Sequence, residues 1–295
     1  MPLLSLVRRS GAVLVMAGAL AAVGCASAGS PSGDPDQRDW VQLFNGENLD
    51  GWKVKFADHP VGTNLNNTFR VEDGILRVTY EDWPSWTGEM GHLIHDGVYS
   101  HYLLAAEYRF VGEQVTGADI GWARRNNGLM LHSQAAEAMS MDQGYPNSME
   151  MQLLGGLGEG PRTTANLCTP GTVFEQNGEL NTTHCVNSTS ATYDGDSWVR
   201  VEALVLGDSV VKHIVEGDTV FTYSKPQLGE VRRGETPNLS PLASGHIAIQ
   251  AESAPTEFRV IEVLNLEGCM DPRASNYRSY FVKSNPALCA GAARE

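Results

Sequence analysis

An all-β sandwich of two antiparallel sheets is the fold this chain predicts, on three observations. From Trp40 onward, short apolar–polar alternations recur, separated by Gly, Asn and Asp; tight turns such as Glu72-Asp73-Gly74 and Glu216-Gly217-Asp218 join several of them; and almost no stretch carries a helical period. Period-two alternation sends successive side chains to opposite faces of a strand. Many such runs bury one face each, and they do so sheet against sheet.

In chain order the predicted strands run over 40–44, 51–55, 69–72, 74–80, 91–94, 102–110, 128–132, 149–154, 198–206, 209–216, 218–223, 245–251 and 257–266. The stretch from Gly155 to Thr192, rich in Gly, Asn and Thr and carrying two cysteines, reads as a long insertion. Loops of that length in compact domains are commonly functional.

Ahead of these strands, Arg8 and Arg9 precede an apolar run from Gly11 to Val23. The run falls short of the ~20 residues a spanning helix needs, so it reads as a signal peptide over residues 1–24. Its end, Ala22-Val23-Gly24-Cys25, resembles a bacterial lipobox, which makes Cys25 the lipidated first residue; the alternative is ordinary cleavage near Ala26 or Ala28. Residues 25–39 then read as a flexible tether, 40–266 as the β domain and 267–295 as a cysteine-bounded tail. The expected location is the bacterial cell envelope, lipid-anchored on the outer-membrane or periplasmic side.

With Cys25 assigned to lipid, Cys168, Cys185, Cys269 and Cys289 are left, and sequence alone permits three pairings. Loop closure favours the local ones, Cys168 with Cys185 and Cys269 with Cys289. A zinc site is the weaker alternative, because no CxxC pair occurs. A formal net charge of −14 argues against nucleic acid as a partner and is compatible with a neutral ligand.

One strand carries a polar row. Met149-Glu150-Met151-Gln152-Leu153 sends its apolar residues to one face and Glu150 with Gln152 to the other. The 128–132 run sets His132 opposite Leu129 and Leu131, and the 198–206 run sets Arg200 and Glu202 opposite Val199, Val201 and Ala203. If these strands share one sheet, a carboxylate, a carboxamide, an imidazole and a guanidinium line a groove suited to sugar. The bland alternative is a solvated outer face. Lys212 and His213 point opposite ways, so at most one faces the groove, and His213 reads more simply as a structural histidine. Trp83, Trp86 and Trp122 are candidates for stacking on a pyranose ring, with core packing the competing role.

Leu43-Phe44-Asn45-Gly46-Glu47-Asn48-Leu49-Asp50-Gly51-Trp52 resembles the opening motif of the 3-keto-disaccharide hydrolase domain family. The resemblance continues through Tyr102 to Phe110, Asn126-Asn127-Gly128, Glu150-Met151-Gln152, Trp198-Val199-Arg200 and Gly245 to Gln250, leading into Glu257-Phe258-Arg259. It implies a concanavalin A-like jelly roll of two antiparallel sheets with carbohydrate on the concave face. His132 stands where the family often has arginine. The tail from Gly268 to Cys289 resembles a short cysteine-bounded repeat of bacterial envelope proteins without its usual Asp-Gly, so a stapled tail is expected rather than a calcium site.

The implied activity is cleavage of 3-keto-glycosides: a base removes the proton at C2, the aglycone leaves from C1, and water adds to the enone. Glu150 is the expected base or metal ligand, His132 its partner, and Gln152 the residue that orients a hydroxyl or carbonyl. Arg200, Glu202, Lys212, Trp122 and Asn127 are the expected substrate contacts, although an Arg200–Glu202 ion pair is an equally ordinary use of those two. One divalent ion held by His132 and Glu150 would stabilise the enolate. A carbohydrate-binding module on the same fold is the second reading, and a structural envelope lipoprotein with a degenerate site the third.

Overall fold

Alternation along the chain is realised as two antiparallel sheets stacked face to face. The computed structural model describes residues 36–231 and 238–291, so the expected signal peptide, Cys25 and most of the expected tether lie outside the described residues. Among the described residues one sheet has eleven strands and the other seven. The expected jelly-roll sandwich is therefore the fold observed.

The seven-stranded sheet runs, edge to edge, Cys185–Val186, Asn166–Cys168, Met149–Leu154, Asn126–Ser133, His246–Ala251, Gly91–His95 and Trp52–Phe56. In the eleven-stranded sheet His101–Phe110 lies between Val199–Leu206 and Thr256–Asn265. Met149, Met151 and Leu153 are fully buried, joining Leu93, Leu129 and Ile249 against Tyr102, Leu104 and Tyr108 of the facing sheet. Each such side chain contributes ~1.5–3 kcal/mol by leaving water.

Each predicted strand is present within a few residues, and the insertion is the main correction. Within 155–192 the chain adds strands to both sheets: Asn166–Cys168 and Cys185–Val186 extend the seven-stranded one, Thr172–Gln176 and Glu179–Asn181 the eleven-stranded one. Runs of two to five residues are too short to show a period, which is why they read as loop. The local disulfides, Cys168–Cys185 and Cys269–Cys289, are both formed.

The end of the tether is held. Arg278 Nε contacts Asp39 Oδ2 at 2.5 Å and Ser279 Oγ donates to Asp36 Oδ1 at 2.6 Å, so residues 36–39 dock on the tail. The tail itself is stapled by its disulfide and by parallel pairing of Glu267–Gly268 with Lys283–Ser284.

One loop positions the site. Residues 134–147, between two central strands, fold back over the outward face of the seven-stranded sheet, where Ala136 and Met139 pack on Ile94, Met130 and Ala248. Lys55 Nζ donates to the Met141 carbonyl at 2.9 Å and fixes the loop to the far edge. Tyr145 is thereby laid across the polar part of that face.

Candidate functional site

Strand register decides which side chains meet. Met149–Leu154 pairs with Asn126–Ser133 so that Gly128 faces Gln152 and Met130 faces Glu150, and on its other side Glu150 faces Cys168. Glu150 and Gln152 therefore point outward, as the alternation predicts. Gly128 is required there: a Cβ at that position would collide with Glu150 Oε1, so its absence lets the carboxyl lie over the neighbouring strand.

The next strand, His246–Ala251, delivers Gln250 and, just past its end, Glu252 to the same face. Glu252 accepts from the Tyr145 hydroxyl at Oε1 and from Asn126 Nδ2 at Oε2, the latter at 2.7 Å. Glu150, Glu252, Asn126, Tyr145, Gln152 and Trp122 line one pocket of about 330 Å³, closed on the other side by Cys168, Pro170, His184 and Cys185. That volume is at the lower end of the ~300–1,000 Å³ usual for small-ligand sites. Trp122 is 49% exposed and leans edge-on against Trp86, at a ring distance of 6.5 Å. A larger hollow of about 420 Å³ elsewhere contains Glu257, but arginines already neutralise that carboxylate, Arg109 Nη2 at 2.6 Å and Arg77 Nε at 3.3 Å.

The two pocket carboxyls are electrostatically unlike. Burial, reinforced by the nearby Glu252, pushes Glu150 well above the usual carboxylate range, and Glu150 Oε1 has no hydrogen-bond partner among the described residues. Burial raises Glu252 to about 7, while the bond from Tyr145 opposes the rise. Two neighbouring carboxyls that both titrate above the ordinary carboxylate range can share a proton near neutral pH, the pattern from which an acid and a base are drawn in one site.

Behind Tyr145 the polar face continues. Gln250 faces His92 across the ladder, and neither amide atom of Gln250 nor either ring nitrogen of His92 has a partner among the described residues. Burial, aided by the Lys55 ammonium, pushes His92 down to about 3, so the ring is neutral at pH 7. Leaving such groups unpaired costs ~1–3 kcal/mol apiece.

Several expected site residues are elsewhere. His132 follows the alternation only as far as Met130; at φ 50° and beside a register shift against His246–Ala251, its backbone turns the ring inward. There Nε2 lies 3.2 Å from the Gly207 carbonyl oxygen and the ring packs on Tyr102, so burial lowers it to about 4. His132 is thus a core residue that shares no ion with Glu150. Among the described residues no group of three or more His, Cys, Asp or Glu side chains is placed to hold a metal.

Arg200, Glu202 and Lys212 belong to the other sheet, because Val199–Leu206 pairs with His101–Phe110 and Val210–Val215 rather than with the Glu150 strand. Arg200 Nε donates to Glu202 Oε1 at 3.0 Å and its other nitrogens approach Glu262 and Glu107, the ion-pair role. Asn127 points the opposite way from its neighbour, donating to the Gln250 carbonyl at 2.8 Å. Asn126, one residue earlier, is the pocket residue. His213 is structural, with Nδ1 2.9 Å from the Ala165 carbonyl oxygen, and Trp83 and Trp86 are buried anchors.

Glu252, Tyr145, Gln250 and His92 were not expected. A signal existed for two: Ala248, Gln250 and Glu252 continue the alternation of their strand on one face. Tyr145 sits in a loop without periodicity, and His92 in a short strand whose two faces are both buried.

The site is a pocket on the outward face of a β sandwich, with two buried carboxyls and one exposed indole on its wall. The model of the 3-keto-alpha-glucoside-1,2-lyase-like domain matches residues 39–264, and the chain belongs to that family. Among solved structures it is similar to a candidate glycosyl hydrolase from Parabacteroides distasonis ATCC 8503, at 14% identity and TM-score 0.45, over 77% of this chain and 99% of that one. It is also similar to a protein of unknown function with a galectin-like fold from Bacillus subtilis, at 9% identity and TM-score 0.46, over 77% and 94%. A carbohydrate-binding module from the same organism matches at 10% identity and TM-score 0.38, over 73% and 96%. Curated proteins give no match.

Proposed function

We propose that the protein cleaves 3-keto-glycosides by elimination across C1 and C2. The observation that carries this reading is the pair of unlike carboxyls, Glu150 and Glu252, in one pocket, and membership of the lyase-like family supports it.

A ketone at C3 acidifies the C2 hydrogen. Glu252, whose carboxylate form is stabilised by Tyr145 and Asn126, takes that proton. The C–H electrons pass into an enolate on the C3 oxygen; they return to form C1=C2 as the C1–O bond breaks. Glu150, held protonated by burial, gives its proton to the departing oxygen. Water adding to the enone completes a net hydrolysis. The assignment reverses the expectation that Glu150 is the base, since the hydrogen bonds that favour an anion go to Glu252. Gln152 Oε1 accepts from Asn166 Nδ2 at 3.3 Å, which fixes its amide at the pocket wall, and the exposed face of Trp122 is the stacking platform for a sugar ring.

The test is incubation with paired native and 3-keto glycosides, with and without chelator. Release of aglycone from the keto compounds, with an unsaturated 3-keto sugar trapped on the way, is expected. Cleavage of native glycosides alone would replace elimination by direct hydrolysis. The same reading keeps the envelope location through an acylated Cys25, and Cys25→Ser would release the protein from the membrane.

A further inference from the structure

Elimination needs one partner that the carboxyl pair does not supply: a donor for the C3 oxygen, where the enolate charge develops. The outward row of the seven-stranded sheet offers one. Ala248 faces Met130 and Ile249 faces Leu129, so Gln250 comes opposite Gly128, the glycine over which the Glu150 carboxyl lies. Gln250 also faces His92 on its other side. His92, Gln250 and the Glu150 carboxyl thus follow one another across the sheet at steps of one strand spacing, ~4.8 Å.

That step is about the reach from the C1 oxygen to a C3 substituent across a pyranose ring. An amide and a neutral imidazole each present one donor and one acceptor, the complement of a carbonyl beside a hydroxyl. All four of their side-chain nitrogens and oxygens are without a partner among the described residues, and both residues are essentially fully buried, 1% and 0% exposed. Tyr145 forms the roof: its ring stands edge-on to His92 at 5.8 Å while its hydroxyl holds Glu252. Tyr145 thus stands between the pocket, which it lines, and the His92 ring.

We infer that Gln250 and His92 form an inner subsite that binds the C3 keto oxygen and a neighbouring hydroxyl of the sugar, with Tyr145 as its roof. In it the Gln250 amide and the His92 N–H donate to the oxygen as it becomes an enolate and release it as the ketone reforms. The inference rests on the elimination reading and names the residues that select an oxidised sugar.

Gln250→Leu and His92→Leu test it, because neither side chain gives up a hydrogen bond to the protein. Replacing unpaired buried polar groups with apolar ones of similar shape leaves stability level or raises it. Expected is an unchanged or higher melting temperature together with a fall of about 10²-fold or more in kcat/KM on a 3-keto-glycoside. Wild-type kcat/KM in both variants, with the parent enzyme active, overturns the subsite and leaves the elimination reading standing. Lower melting temperatures with activity lost in proportion would make the pair structural and also overturn it. A parent enzyme that cleaves neither keto nor native glycosides overturns the elimination reading, and the subsite with it.

Discussion

Glu150 and Glu252 face one pocket from positions separated by a single strand, yet Glu252 is hydrogen-bonded by Tyr145 and Asn126 while Glu150 Oε1 has no partner among the described residues. Under the proposed elimination, the difference in partners, more than the difference in burial, gives them opposite roles. Each role has its own experimental signature.

Glu252→Gln removes the base and Glu150→Gln the acid, and both substitutions preserve shape. Each should lower kcat on a 3-keto-glycoside by ~10²-fold or more, with sugar affinity largely kept. With an activated aryl leaving group, which needs no proton, Glu150→Gln should recover most of its rate and Glu252→Gln none. Recovery in the opposite variant would exchange the assignments.

Stability should peak near pH 6.5. His92 at about 3, with His132 and His213 at about 4, titrates in the native state below the ordinary 6.5. Between those values the unfolded chain holds more protons, so stability rises with pH. Glu150 and Glu252 act in the opposite sense: the native state keeps protons that the unfolded chain releases near 4.5, so stability falls as pH climbs through about 7. Below 6.5 the histidines, with His95 and His101 also lowered by burial, outweigh the two carboxyls, and above about 7 the fall is carried by Glu150. Thermal melts from pH 4 to 9 should show this dome, and Glu252→Gln should steepen the rise between about 4.5 and 7, where the native Glu252 holds a proton that the unfolded chain has released; a rise as shallow as in the parent protein would contradict the pKa of Glu252.

Gly128→Ala places a methyl group where the Glu150 carboxyl rests. The strand should survive, since Gly128 sits mid-strand opposite Gln152. Activity should fall at least tenfold as the carboxyl is displaced, by the sensitivity of catalysis to placement. Full activity in the alanine variant would show that the carboxyl works from another position.

Arg200→Ala is the contrasting case. Its partners Glu202, Glu262 and Glu107 lie on the outward face of the other sheet, so kcat/KM should be unchanged and stability should drop by no more than ~1 kcal/mol. A marked loss of turnover would return Arg200 to the catalytic machinery.

Alternation made much of the fold legible. The 149–154 strand shows its buried and polar sides directly, and the opening motif carries the family. What alternation cannot encode is which strands are neighbours. Arg200 and Glu202 obey the same pattern as Glu150 and Gln152, and only long-range register sends them to the other sheet. His132 fails for a local reason: its left-handed backbone breaks the period one residue before the strand ends. Asn127 was misplaced by a single position, although the parity that puts Gly128 opposite Gln152 already favours Asn126. Tyr145 reaches the site through the path of a loop, which no period describes.

The division of labour along the chain has a practical meaning. The groups assigned to proton transfer sit on or beside the central ladders, whereas Pro170, His184 and Cys185 on the opposite pocket wall come from the 155–192 segment, in which the Cys168–Cys185 bond closes the loop that carries Pro170 and His184. The pocket thus draws its two walls from separate stretches of sequence. A designer seeking a new aglycone can vary Pro170 and His184 on the loop between the two cysteines while keeping Ala165, Leu167 and Phe174, whose side chains belong to the core.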